Sequence, residues 1–136
     1  MYPDDLVMPM KHELTDKGFQ DLTSSEAVND ALKKEGTTLL MINSVCGCAA
    51  GAARPGAVFS LTGDKKPENL VTVFAGYDKD AVDEARKHLA PFPPSSPCIA
   101  LFKDGELVHM LERHHIEGNP AGAIAANLQA AYDEYC

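Results

Sequence analysis

The sequence predicts an α/β sandwich built on a central mixed β-sheet flanked by helices, and the order and character of its segments carry that expectation. Helical and strand-like stretches alternate along the chain. The runs Thr37–Asn43 and Leu70–Ala75 are short and almost wholly apolar, as strands covered on both faces are. A last pair of apolar strands is joined through Asp104-Gly105, a strong hairpin signal. Parallel strands linked by right-handed helical crossovers, with one antiparallel hairpin added, accommodate this order. At 136 residues and 45% hydrophobic content, one domain spanning residues 1–136 is expected, able to enclose a core without disulfides or metals.

Taken in order, Leu6, Val7, Met10 and Leu14 recur at helical spacing between Asp4 and Lys17, with Thr15-Asp16-Lys17-Gly18 as the stop. Their spacing reads as core packing rather than a client-binding groove. Phe19–Leu22 suits a weak edge strand. Ser24 or Ser25 then caps a helix through Val28, Leu32 and Glu35, ended by Gly36. Thr37–Asn43 is the central strand, and Ala49–Phe59 a helix of small residues in which Pro55 is expected to produce a kink. After the strand Leu70–Ala75, Asp78 is placed to cap a helix reaching about Leu89. The proline-rich loop 91–97 leads into the strands Cys98–Phe102 and Glu106–Leu111, and an Ala-rich helix from about Pro120 to Tyr135 closes the chain.

The formal net charge of −8 argues against nucleic acid, whose phosphates demand clustered Lys and Arg. Its plain reading is solubility. No segment has the consecutive apolar residues of a membrane span, and Met1-Tyr2-Pro3-Asp4-Asp5 lacks the basic start of a secretory signal, so a cytoplasmic location is expected. In that compartment four cysteines do not form a structural disulfide framework, which leaves chemistry or metal binding.

Cys46-Gly47-Cys48 lies directly between the central strand and the helix that follows. A thiolate, not a thiol, attacks a disulfide, so a reactive cysteine needs surroundings that favour negative charge. At a helix start the unpaired N–H groups and the positive end of the dipole supply them to Cys46. Cys48, in the first turn, is close enough to attack a mixed disulfide formed on Cys46. Gly47 leaves the backbone permissive and the sulfur approachable. A disulfide across CxC closes a smaller ring than one across CxxC and is expected to be easier to reduce, which favours accepting a thiol adduct or reshuffling disulfides. The bland alternative is a pair of small residues at a crowded helix start. Pro97 is the second candidate: trans, it ends a rigid loop; in a redox fold it borders the thiol site, and that context favours a cis Ser96–Pro97 bond.

This arrangement of strand, cysteine motif, proline-bearing helix and proline before a hairpin resembles the thioredoxin superfamily. Within it, Asn43–Gly51 with Ala53-Arg54-Pro55 resembles the bacilliredoxin family. The likeness extends to Val71–Gly76, Pro94–Pro97, Glu112-Arg113-His114, Ile116-Glu117-Gly118 and Glu134-Tyr135-Cys136, and so covers nearly the whole chain. It implies a thioredoxin-like fold and a thiol-disulfide oxidoreductase that removes bacillithiol, a low-molecular-weight thiol, from mixed disulfides on S-thiolated client proteins. Cys46 is then the attacking thiol and Cys48 the resolving one, with Gly47 and Pro97 bordering the substrate and bacillithiol as co-substrate in place of a bound cofactor. The family has also been considered as disulfide isomerases. The resemblance departs from typical thioredoxins in that Leu39–Ile42 carries no buried acid to accept a proton. It departs from the family in Cys98, where Ser is expected after Pro97.

The remaining candidates are auxiliary. Cys98 is an extra thiol beside the site, either redox active or tolerated. Cys136, at the chain end beside a carboxylate, is expected to be a nonessential thiol. Arg54, about two helical turns after Cys46, either binds an anionic substrate or, the preferred reading, lies on a solvated helix face or in a salt bridge. His114 and His115 offer zinc ligands to Cys46 and Cys48, but CxC lacks paired-knuckle spacing and adjacent histidines do not naturally face one point, so no metal ligand is assigned. The competing functional classes are a disulfide isomerase or reductase and, behind it, a Cys/His metal-binding module. A monomer or weak homodimer is expected.

Overall fold

The computed structural model describes residues 1–136, and its elements follow the predicted order closely. Helix α1 spans Asp4–Thr15, strand β1 Gln20–Asp21, α2 Ser25–Leu32 and β2 Thr37–Asn43. A π-helical turn, Ala49–Ala53, runs into α3, Arg54–Phe59; then come β3, Asn69–Phe74, and α4, Lys79–His88. The hairpin is β4, Cys98–Lys103, with β5, Glu106–Leu111, followed by a short helix α5, Arg113–Ile116, and by α6, Ala121–Tyr135. The strands form one mixed sheet in the order β1-β3-β2-β4-β5. β1, β3 and β2 run parallel, whereas β4 is antiparallel to both β2 and β5. No helix is long and apolar enough to cross a membrane.

β2 is buried along its whole length because helices cover both faces of the sheet. Side chains alternate across a strand, and this strand splits its residues between two cores. Leu40 and Ile42 pack with Val28, Leu32, Val82 and Ala85 of α2 and α4. Leu39 and Met41 pack with Leu14, Ala57, Ile124 and Leu128 of α1, α3 and α6. A continuous apolar run is what such double coverage requires. In the hairpin, Asp104 and Gly105 both take positive φ, 51° and 83°, as the tight turn between right-twisted strands demands. The Asp104 carboxylate also accepts the Gly36 N–H at 2.8 Å, fastening the hairpin to the turn that leads into β2.

Pro55 marks the irregular point of its helix. It falls in the first turn of α3, where its missing N–H costs nothing. The irregularity lies just upstream, where Ala49–Ala53 widens to π geometry and the Arg54 N–H reaches back to the Ala49 carbonyl. An ordinary α-helix would press the Pro55 ring against the carbonyl four residues earlier, and the wider turn relieves that contact.

The stripe that α1 buries is Val7, Lys11 and Leu14, while Leu6 and Met8 face solvent. Lys11 is 4% exposed. Its ammonium lies 2.9 Å from Asp21 and 2.7 Å from Asp78 and 4.9 Å from the centre of the Tyr77 ring. Burial opposes its charge, but the hydrogen bonds to Asp78 and Asp21 outweigh this and raise its pKa. Asp78 precedes α4 as expected, yet its carboxylate does not cap the helix, because it is committed to Lys11.

α3 and α6 cross closely at Gly56. A Cβ there would stand 2.7 Å from Ile124 Cβ and Cγ2 and 3.1 Å from the Ala121 carbonyl. Alanine favours a helix over glycine by ~1 kcal/mol, whereas overpacking of this kind costs typically about 1–3 kcal/mol. Gly56→Ala is therefore expected to lower the urea midpoint with the m-value unchanged; a raised midpoint would show that α6 yields freely.

Candidate active site

The sheet gathers the site at one edge. Asn43, at the C-terminal end of β2, pairs with Phe74 at the C-terminal end of β3, while Ile42 pairs with Cys98 at the start of the antiparallel β4. Ile99 pairs with Leu111 at the end of β5, so the Cys46 loop, Pro97 and the start of α5 meet at the same end of the sheet. Ligands in open α/β sheets sit outside the carboxyl ends of strands for this topological reason.

Cys46 occupies the helix N-cap. Its carbonyl accepts the N–H groups of Ala49 at 2.9 Å and Ala50 at 3.3 Å, and its sulfur accepts the Cys48 N–H at 3.4 Å. The loop that presents it is pinned from beneath: the Ser44 hydroxyl takes the Cys46 N–H at 3.1 Å, and the Asn43 side-chain oxygen takes the Ser44 N–H at 2.8 Å. Both cysteines are free thiols of intermediate exposure. Gly47 is exposed between them, with open space where a Cβ would stand. Its φ is not positive, so what glycine provides here is access to the sulfur and not a special backbone conformation.

The pair is electrostatically unequal. Cys46 is held below the ordinary thiol pKa by a hydrogen bond from the Cys48 side chain, by the Cys48 and Ala49 N–H groups and by the charge of Arg113, which together outweigh burial. Cys48 is pushed up by burial and by its engagement with Cys46. A thiolate on Cys46 beside a protonated thiol on Cys48 is the arrangement in which one sulfur attacks and the other waits.

Arg113 is the residue that sequence reasoning did not assign. Its Nη2 donates to Cys46 Sγ at 3.2 Å and its Nη1 to the Ser96 carbonyl at 3.2 Å, and Nε pairs with Glu117. It opens α5, a helix absent from the sequence expectation. A reciprocal capping box builds that helix: the Glu112 side chain accepts the His115 N–H, and His115 Nδ1 accepts the Glu112 N–H at 3.0 Å. The spacing of Glu112 and His115 was the available signal.

Arg54 does not lie on a solvated face and cannot reach a substrate: it is 2% exposed. Its Nη1 donates to Asn43 Oδ1 at 2.9 Å and to the Ser44 carbonyl at 2.8 Å, and Glu13 stands 3.1 Å from Nε. The salt-bridge reading was correct in kind, but the charge is buried behind the Cys46 loop, where it fixes that loop to α1. Pro97 is buried and follows a cis bond; Ala90–Pro91 is also cis. Cys98 is 2% exposed within the apolar core, and burial pushes its thiol up to about 12. Cys136 is exposed on the last residue.

His114 and His115 do face each other, contrary to expectation, with ring centres 4.0 Å apart. The ligand atoms of Glu112, His114 and His115 lie within 4.8 Å of one another. The cysteines are not part of this group, and the capping box already occupies the Glu112 carboxylate and His115 Nδ1. A surface concavity of about 380 Å³ bordered by Tyr77, Lys79 and Arg86 does not include the cysteines either.

An N-cap cysteine whose thiolate is favoured, with a second free thiol two residues on and a mixed sheet of this topology, is the arrangement of a thiol-disulfide oxidoreductase of thioredoxin-like fold. Solved structures agree on the fold: mitochondrial thioredoxin 3 from Saccharomyces cerevisiae superposes with a TM-score of 0.58 at 15% identity, over 90% of this chain and 98% of that one. Malassezia sympodialis thioredoxin superposes with a TM-score of 0.54 at 18% identity, over 87% and 90%. A family model described as "Disulphide isomerase" matches residues 2–136. A bacilliredoxin of Cytophaga hutchinsonii is 60% identical over 98% of this chain and 99% of its own length, and one of Shouchella clausii is 54% identical over 99% and 94%. The chain belongs to the bacilliredoxin family.

The unequal thiols are checked by following alkylation against pH. Only the thiolate reacts, so a lowered pKa moves the midpoint of Cys46 modification below the ordinary thiol range of about 8.5. Cys48 is expected to react only at higher pH, and Cys98 not at all while the protein is folded. Arg54→Met leaves the Ser44 carbonyl without its donor and Asn43 Oδ1 with the Ser44 N–H alone, at a cost of about 1–3 kcal/mol. A lower urea midpoint together with a higher midpoint for Cys46 modification is the expected result.

Proposed function

We propose that this protein removes a low-molecular-weight thiol, bacillithiol or one similar to it, from mixed disulfides on S-thiolated client proteins. The observation that carries the reading is the inequality of the pair: an accessible, stabilised sulfur on Cys46 and a protonated neighbour on Cys48. The Cys46 thiolate attacks the sulfur of the small thiol, forming a new S–S bond as the old one breaks, and the client leaves as a thiolate. The Cys46 sulfur is now part of an uncharged disulfide. With that negative charge gone, one of the effects holding the Cys48 pKa up disappears. A second molecule of the small thiol, or Cys48, then attacks the adduct; the second route leaves a Cys46–Cys48 disulfide that an external thiol reduces.

Bacillithiol is the co-substrate that the resemblance to bacilliredoxins implies. The open setting of Cys46, with Gly47 adding no bulk over it, suits a bulky protein disulfide. Pro97 borders the loop whose Ser96 carbonyl holds Arg113. No resident cofactor or metal ion enters this scheme, nor does nucleic acid or a membrane. A monomer or weak homodimer working in the reducing cytoplasm is sufficient for it.

Intact mass spectrometry of Cys48→Ala mixed with a bacillithiol-modified protein tests the proposal. Without the resolving thiol the intermediate is trapped, so bacillithiol is expected on Cys46 with the client back at its free-thiol mass. A client that stays modified beside an unchanged Cys46 overturns this function and turns attention to isomerase activity.

A further inference from the structure

Arg113 is more than a counter-charge for the thiolate. A guanidinium carries five N–H donors in a rigid fork and no acceptor. Here Nε is directed to Glu117, one Nη1 hydrogen to the Ser96 carbonyl and one Nη2 hydrogen to Cys46 Sγ. One hydrogen on each terminal nitrogen therefore remains without a protein partner, and the side chain is 45% exposed. The bond to Cys46 is also conditional on the state of the sulfur. It is charge-assisted while Cys46 is a thiolate, and weak once the sulfur is bonded to another sulfur.

We infer that Arg113 is an anion anchor for the small thiol, exchanging the Cys46 thiolate for a carboxylate of the adduct as the mixed disulfide forms. The inference rests on the function proposed above and names the substrate feature that its site reads. In the exchange the Cys46–sulfur bond forms as the client–sulfur bond breaks, and the negative charge departs with the client. The guanidinium beside Cys46 thereby loses its anion. The adduct sulfur stands about 2 Å from Sγ, which itself lies 3.2 Å from Nη2. A carboxylate a few bonds beyond that sulfur falls within reach of the fork. The hydrogen bond it donates to the Ser96 carbonyl and the pairing with Glu117 hold the guanidinium in place throughout, so it need not reorganise. The need for a local cation is clear from the net charge of −8, which repels an anionic thiol at long range.

The test uses matched adducts that differ only in charge: a single-cysteine client peptide modified with 3-mercaptopropionate, or with the neutral 3-mercaptopropan-1-ol. KM and kcat for their removal are compared in the native protein, Arg113→Gln and Arg113→Lys. The native protein is expected to show a KM roughly tenfold or more lower for the carboxylate, the value of one charge-assisted hydrogen bond. Arg113→Gln should erase that preference while still clearing the neutral adduct, with kcat reduced alike for both. Arg113→Lys should keep part of it. Equal KM values in the native protein, a preference that survives Arg113→Gln, or the same loss in both variants would overturn the inference and leave the proposed function standing. Failure of the native protein to clear either adduct would instead remove the function itself.

Discussion

The site depends on a guanidinium buried where β2 ends. Arg54 lies almost wholly out of water, and a charge so placed is tolerable only when it is paired and hydrogen-bonded. The partners available are the Asn43 side chain, the Ser44 carbonyl and, from α1, Glu13. The two hydrogen bonds from Arg54 Nη1 therefore fix Asn43 and Ser44, the residues that lead into Cys46, while Nε faces Glu13 as an ion pair without a hydrogen bond. Asn43 extends the same network by donating to the Met10 carbonyl at 3.2 Å. A loop pinned at Ser44 and Cys46 presents its sulfur in one position, and an N-cap sulfur needs that fixity to meet the Cys48 N–H.

On this foundation the chemistry is set by short-range effects. An overall negative protein disfavours another thiolate, so the local terms must win at Cys46, and they act within one hydrogen bond: the Cys48 thiol and N–H, the Ala49 N–H, and Arg113. The same proximity works against Cys48. Two sulfurs so close do not both ionise readily, and the one nearer the helix start and the guanidinium holds the charge. Cys98, next to Pro97 in sequence, shows the opposite limit. Packed in the core, its thiol has none of these stabilising partners in sufficient strength, and burial decides its state.

A second buried cation performs the corresponding structural task on the other side of α1. Lys11 joins α1 to β1 and to the start of α4 through Asp21 and Asp78. Between them, Arg54 and Lys11 use the one helix as a brace that reaches β2, β1 and α4. This explains why α1 buries a lysine on its inward stripe while Leu6 and Met8 stay in water.

Local pattern was sufficient for much of the molecule. The apolar runs of β2 and β3, the Asp104-Gly105 turn and the capped helices were legible because periodicity and turn chemistry depend on near neighbours alone. Cys46 and Cys48 were legible because a cysteine pair between a buried strand and a helix start places a sulfur at the N-cap whatever lies around it. The position of Arg113 was not legible, since 67 residues separate it from Cys46 and only the pairing of β5 with β4 brings its helix to the sulfur. Nor were the burial of Arg54 and Lys11, because charge in a sequence reads as surface until the fold supplies Asn43 and Ser44, or Asp21 and Asp78, as partners. Sequence alone placed the main strands and helices and the Cys46-Gly47-Cys48 motif at a helix start; the tertiary structure decided which charges are buried, that α5 forms and which guanidinium touches the sulfur, because those depend on contacts made across the sheet rather than along the chain.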